Sequence, residues 1–232
     1  MIAAEMHSWC VQHKQTELFI CADLPYEKEA ADAIVTLRTQ LDAYILAHPV
    51  FSESIVPVEP AEDAPAVVRA MCLAGKAANV GPMAAVAGAF AAYVGSILLK
   101  NSKQVIVENG GDIFIKTDKP KTVAVYAGKS PLSMKIGVVV DSREMPMSIC
   151  TSSGTVGPSL SFGQADAAVV VAADACLADA CATRLGNEVK SAHDIENALE
   201  TIMSISGVTG AMAIVGDKCG AVGRIALETV TG

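Results

Sequence analysis

The chain has 232 residues, with 17 Lys and Arg against 25 Asp and Glu and a formal charge of -8. That sign excludes a protein built to sit on nucleic-acid backbone or on an anionic membrane surface, and the length favours one domain around one sizeable core, with two tightly joined lobes as the alternative. The seven cysteines, Cys10, Cys21, Cys72, Cys150, Cys176, Cys181 and Cys219, form no CxxC pair and an odd total, which reads as reduced thiols in a cytoplasm.

The first segment, MIAAEMHSWCVQHKQ, has no basic start and no useful apolar run, so no export signal is expected. Met6 to Val11 and Thr16 to Ala22 carry β-branched and aromatic residues around the polar turn His13-Lys14-Gln15, a predicted hairpin. From Pro25 the apolar residues Ala30, Ile34, Leu37, Leu41, Tyr44 and Ile45 recur at helical spacing, which predicts an amphipathic helix ending near His48-Pro49. Asp63 and Pro65 read as the cap and first turn of a second helix through Val67, Val68, Met71 and Leu73.

Gly81 to Leu99 is uncharged, yet mostly alanine and glycine, which gain little from lipid. A central buried helix whose small side chains allow close packing is the better reading than a membrane span. Four strands follow, Gln104 to Glu108, Asp112 to Lys116, Thr122 to Ala127 and Ile136 to Val140, read as an antiparallel meander. Ala167 to Ala172 reads as a strand leading into a helix from Asp174 to Leu185, closed by a left-handed stop at Gly186-Asn187. A helix over Asp194 to Ile205 then precedes a hairpin of Ala211 to Val215 and Ala221 to Leu227, turned at Gly216-Asp217. Antiparallel strands grouped apart from helices indicate an α+β fold, antiparallel sheets packed with helices.

Three segments carry residues suited to chemistry. Glu108-Asn109-Gly110-Gly111-Asp112 is a hairpin signal, because Asn-Gly tolerates positive φ at both positions. The same glycines let a ligand approach the backbone while Asp112 accepts its hydrogen bonds. Cys150-Thr151-Ser152-Ser153-Gly154-Thr155, continuing through Ser161, concentrates hydroxyls and glycines where backbone N–H groups could converge on phosphate oxygens. No Lys follows the glycines, so it is not a P-loop, and a plain solvated loop is the alternative. On the helix Cys176-Leu177-Ala178-Asp179-Ala180-Cys181-Ala182-Thr183, Asp179 and Thr183 are four apart and share a face, with Cys176 on it too. A lone carboxylate there either meets solvent beside Arg184 or, if buried, calls for a hard cation with oxygen ligands. Cys150 is the candidate reactive thiol, although no neighbouring positive charge lowers its pKa.

The order of these motifs is more specific than any one of them. A GGD turn, a serine/threonine-glycine segment, and a strand leading to a helix reading A-D-A-x-A-T-x-x-G resemble the ApbE family, flavin transferases that attach FMN to proteins. The matching residues are Gly110-Gly111-Asp112, Ile149 to Gly154, and Ala178 to Thr183, with a weaker match at Val80 to Val86. The resemblance implies an α+β fold related to the T-fold, with FAD bound across sheet and helices. It implies Mg²⁺ held by Asp179, Thr183 and the Ala84 carbonyl, and a nucleotide positioned by Asn109, Gly110, Gly111, Asp112, Thr151, Ser152, Ser153, Gly154 and Thr155.

The chain also departs from the family pattern. Ala85 stands where the family has a lysine, and the usual histidine and DPRTG-type segment are missing, shortened to Gly157 through Gln164. It is similar to a compact cytoplasmic branch of the family, some of whose members are associated with sulfur assimilation and homocysteine formation in anaerobes. The resemblance therefore leaves three expectations, the last and plainest being a flavin- or nucleotide-binding module with no chemistry. The first is a Mg²⁺-dependent FAD site that transfers FMN to a protein acceptor. The second is a non-transferase partner in sulfur handling, with a thiol such as Cys150 or another ligand at the same pocket. Neither nucleic acid nor membrane is an expected partner, and a homo-oligomer is left open.

Overall fold

The structure, a computed structural model, describes residues 6–155 and 162–230. Ser159 and Ser161 of the hydroxyl-rich segment, and Gly157-Pro158 of the shortened connection, lie outside the described residues.

The chain opens with the hairpin β1 (His7–His13) and β2 (Thr16–Ala22), turned at Lys14 with φ 54°. Helix α1 (Glu27–Ala47) buries Ala30, Ile34, Leu37, Leu41 and Tyr44, the stripe its periodicity defines. Full burial of each such Leu or Ile contributes roughly 1.5–3 kcal/mol. A short helix α2 (Pro49–Glu53) follows, which the sequence pattern does not reveal, and then α3 (Ala66–Ala78). Asp63 does not cap α3. Pro65 occupies the N-cap position without a side-chain bond, and its carbonyl accepts from Arg69 N–H at 3.1 Å.

A 3-10 turn at Pro82–Ala85 leads into α4 (Val86–Leu98), whose glycines set its packing distance. A Cβ on Gly95 would stand 2.2 Å from Phe114 Cδ1, and one on Gly88 would stand 2.4 Å from the Ala175 carbonyl oxygen. Larger residues would push the helix off its neighbours. Among the described residues no single helix is long and apolar enough to cross a membrane, and α3 meets the Pro82–Leu98 segment at a 105° bend.

The remaining elements are β3 (Val105–Asn109), β4 (Asp112–Lys116), β5 (Lys121–Ala124), β6 (Ile136–Val140), β7 (Met147–Ser152), β8 (Ala167–Ala172), α5 (Ala175–Glu188), α6 (Ile195–Met203), β9 (Val208–Val215), β10 (Lys218–Gly223) and β11 (Ala226–Thr229). They build two antiparallel sheets, an eight-stranded one in the order β1-β2-β3-β4-β7-β8-β9-β10 and a three-stranded one in the order β11-β6-β5. The expected four-strand meander is therefore broken. After β4 the chain leaves the large sheet to form β5 and β6, and β7 takes the place beside β4. The end of the chain splits likewise, because β9 and β10 pair while β11 crosses to β6.

The large sheet is buried on both faces in its centre. In β8, Ala168, Val170 and Ala172 join the helix-side core, whereas Val169 and Val171 join a second core beneath the small sheet. Period-two alternation thus feeds two cores from one strand. Helix α5 runs through Gly186-Asn187, the expected stop, to a cap at Val189. Tertiary contacts replace the local signal: the Val189 carbonyl accepts from Gln164 N–H at 2.8 Å, and Asn187 Oδ1 accepts from Phe162 N–H at 2.8 Å.

Candidate functional site

Strands β3 and β4 are joined by Gly110 and Gly111 alone, with Asn109 paired to Asp112. Both glycines have positive φ, 63° and 110°, the conformation a two-residue hairpin requires. The turn is therefore Gly-Gly rather than the Asn-Gly the sequence suggests. Asn109 instead pins it sideways, its Nδ2 donating to the Ala87 carbonyl at 3.1 Å.

That bond draws the turn to the start of α4, where α5 supplies the next contact. Asp179 lies midway along α5 and is buried. Its Oδ2 accepts the Gly88 N–H at 2.8 Å, and the Ala87 N–H also bonds to the carboxylate. These are orphan donors of the first turn of α4, whose own N-cap, Ala85, has no side chain to offer. Asp179 does not pair with Arg184, which bonds Glu188 at 2.8 Å.

Asp112 is the second buried carboxylate. It takes hydrogen bonds from the Thr151 N–H and the Cys150 thiol, while its Oδ1 is buried with no partner. Burial, and after it the charge of Asp112, pushes Asp179 well above the usual carboxylate range against the two backbone donors. Burial likewise raises Asp112, to about 7, with Glu108 adding to the rise. Two carboxyls held upward together describe a place that lacks positive charge. The fully buried Cys150 thiol is pushed far up as well, first by burial and then by Asp112 and Asp179, so no thiolate is favoured there.

Both carboxylates line one cavity of about 1250 Å³. Ala84, Gly110, Gly111, Thr151, Ser152, Ser153 and Thr183 line it too, so most of the predicted site residues share one space. Three do not. Asn109 holds the turn from behind. Gly154 N–H is bonded to the Ala165 carbonyl at 2.8 Å, and Thr155 Oγ1 donates to Asp166 Oδ1 at 2.9 Å, which turns this stretch toward the start of β8.

Sequence reasoning did not find the rest of the lining, made by Ser52 to Ile55 at the end of α2, by Thr122 to Ala124 with Tyr126 and Met134, and by Glu228 to Val230 at the end of β11. No motif marks these residues. In the structure, exposed apolar side chains at Ile55, Tyr126 and Met134 mark this part of the lining.

The electrostatics of the lining are one-sided. Glu53, Glu108, Asp112, Asp179 and Glu228 line the cavity, and among the described residues no Lys, Arg or His does. No group of three or more His, Cys, Asp or Glu forms a metal cage among the described residues. What the lining offers is a set of oxygen-bearing residues: Asp112, whose Oδ1 is buried without a partner, with Asp179, Thr183 and Ala84. That chemistry fits a hard cation which takes one or two carboxylates from the protein and the rest of its shell from phosphate and water.

A family model described as AbpE bacteria matches residues 1–220. The chain belongs to this ApbE-like family. Among curated relatives it is 42% identical over 215 residues to the UPF0280 protein of Methanocella arvoryzae, covering 92% of this chain and 87% of that one. It is 43% identical over 217 residues to the UPF0280 protein of Methanosarcina acetivorans, covering 92% and 85%. Among solved structures, the apo flavinyl transferase ApbE of Pseudomonas stutzeri superposes with a TM-score of 0.62 at 13% identity, covering 94% of each chain. The ApbE protein of Thermotoga maritima gives 0.59 at 10% identity over 93% of this chain and 96% of that one. At such identity the likeness shows the fold: this is an ApbE-like α+β architecture of antiparallel sheets packed with helices.

Proposed function

We propose that this chain binds FAD together with Mg²⁺ and acts as a flavin transferase, moving FMN from FAD to a hydroxyl of a protein acceptor. The observation that supports this reading best is the single cavity that joins the GGD turn, the Thr151 to Ser153 strand end and the Asp179-Thr183 face of α5, with carboxylates and no cationic side chain among its described lining residues. A diphosphate would be repelled from such a lining unless a cation entered with it.

Asp179, Thr183 and the Ala84 carbonyl are the proposed metal ligands, with Asp112 in the same lining. When bound, Mg²⁺ supplies the positive charge that offsets a pyrophosphate and steadies phosphoryl transfer. The chain's own residues do the positioning. Gly110 leaves its face of the turn open, with no atom within 4 Å of where a Cβ would stand, so a phosphate can approach the backbone. Thr151, Ser152 and Ser153 present hydroxyls from the end of β7. Asp179, tied to α4 through Gly88 and Ala87, cannot swing away from the site without uncapping that helix. In balance, the acceptor hydroxyl replaces AMP on the FMN phosphorus. The volume exceeds the roughly 300–1,000 Å³ usual for a small-ligand pocket, which leaves room for an acceptor segment.

A role for Cys150 as a sulfur-carrying thiol has no supporting observation, because the side chain is fully buried and held protonated. The test mixes the protein with FAD, Mg²⁺ and a Ser/Thr-bearing acceptor protein and looks by mass spectrometry for covalently attached flavin. An acceptor mass increase of one FMN, lost in EDTA, supports the reading. FAD binding without transfer to any acceptor reduces the reading to a flavin nucleotide site.

A further inference from the structure

Strand β11 lies beyond residues 1–220, the part matched by the family model, yet Glu228, Thr229 and Val230 line the cavity. The strand pairs with β6, with Glu228 opposite Gly137 and Val230 N–H donating to the Lys135 carbonyl at 2.9 Å. By two-residue alternation Thr122, Gly137, Glu228 and Val230 share one face of the small sheet. Gly137 is what lets the outer strands meet across the middle one. A Cβ there would stand 2.4 Å from Thr122 Cγ2 and 2.9 Å from Val230 Cγ2. In the space this leaves, the Thr122 hydroxyl donates to Glu228 Oε1.

The bond to Thr122 fixes the carboxylate beside the cavity and leaves Oε2 for another donor. The neighbouring wall is apolar and unusually posed. Met134 has φ 59°, a left-handed conformation that a methionine rarely adopts, and its N–H donates to the Val125 carbonyl at 2.8 Å. Through that bond Met134 and Tyr126 sit on adjoining segments of the loop between β5 and β6, each about half exposed and lining the cavity. The β11 end joins them through Lys135, next to Met134. An apolar platform edged by an oriented carboxylate suits a flat ring that carries N–H groups on its rim.

We propose that β11 is a specificity wall: Glu228, set by Thr122, accepts hydrogen bonds from N–H or amino groups of a flat heteroaromatic ring lying on Tyr126 and Met134. This rests on the nucleotide reading above and says which end of the ligand meets which wall, the phosphates at Asp179 and the ring at β11. Adenine and the flavin ring share this chemistry, and separate probes tell them apart.

The experiment titrates FAD, ADP, riboflavin and Mg²⁺-pyrophosphate into the wild type, Glu228→Ala and Tyr126→Ala. Both substituted side chains are exposed, so folding should survive, and a circular dichroism melt checks it. Glu228→Ala should weaken FAD about tenfold, the size of one hydrogen bond to a charged group, Tyr126→Ala should weaken it by up to about tenfold through the lost ring contact, and both should leave pyrophosphate unchanged. A matching loss for riboflavin alone assigns the flavin ring to this wall, and one for ADP alone assigns adenine. Unchanged FAD affinity in both variants, or an equal loss for pyrophosphate, overturns the wall while the nucleotide reading stands. A wild type that binds no FAD overturns both.

Discussion

Replacing Asp112 by Asn in metal-free protein should make stability less dependent on pH. The Asp112 carboxyl is buried, keeps one oxygen without a partner and is raised from 3.8 to about 7. At about 1.4 kcal/mol per pKa unit, holding it ionised costs on the order of 4 kcal/mol relative to the unfolded chain. The folded state binds this proton more tightly than the unfolded state does. The stability is therefore fully present below about pH 4, falls as the pH climbs toward about 7, and levels off beyond. The amide of the Asp112→Asn variant stays neutral and can still accept the Thr151 N–H, so the variant lacks that loss. Urea unfolding in EDTA at pH 4.5 and pH 8 measures the difference. The variant should gain several kcal/mol on the wild type between the two conditions, equivalent to about 10 °C in melting midpoint for a chain of this size. Parallel pH profiles for the two proteins would refute the claim that Asp112 is held protonated by burial.

Asp179→Asn keeps an acceptor for the Gly88 N–H but removes the charge, so it should fold and lose any Mg²⁺-dependent rise in melting temperature. In the wild type that rise should correspond to about 2.7 kcal/mol at a hundred times Kd, read by scanning calorimetry. Gly88→Ala puts a Cβ 2.4 Å from the Ala175 carbonyl oxygen, so α4 and α5 must part, at a cost of about 1–3 kcal/mol in urea unfolding. Gly110→Ala meets open space and pays only for its positive φ, about 1–2 kcal/mol by the same measurement. A maleimide should label the exposed Cys10 and Cys219 in native protein and reach Cys150 only on unfolding, as peptide mass mapping would show.

Local pattern carried the elements that depend on local physics. The helix read from Pro25 to near His48-Pro49 is α1, Glu27–Ala47, within a residue or two of its ends, because only the face from Ala30 to Tyr44 must be buried. What the pattern could not carry was partner choice. Val123 and Val138 alternate like any strand, and nothing in them tells that β5 and β6 leave the large sheet to cover a second core. Gly186 failed as a stop because contacts from residues 162–164, remote in sequence, hold the last turn of α5.

The site divides along the same line. Asp179 and Thr183 share a helix face by spacing, and the glycines of the GGD turn announce their own backbone conformation. That Asp179 caps α4 depends on a contact ninety-one residues apart in sequence, and that Asp112 shares its lining depends on strands and helices remote in sequence, neither of which a local window contains. The β11 wall was invisible for the same reason, since Glu228 acquires a place in the cavity only through its pairing with β6.

Coupling of the metal to the nucleotide through Asp179 is the central claim. Calorimetric titration of FAD into wild type and Asp179→Asn, each with Mg²⁺ and with EDTA, measures that coupling. Saturable binding in the wild type with Mg²⁺, and weak or no binding in the other three, is the predicted result. Equal FAD affinity in all four would contradict it.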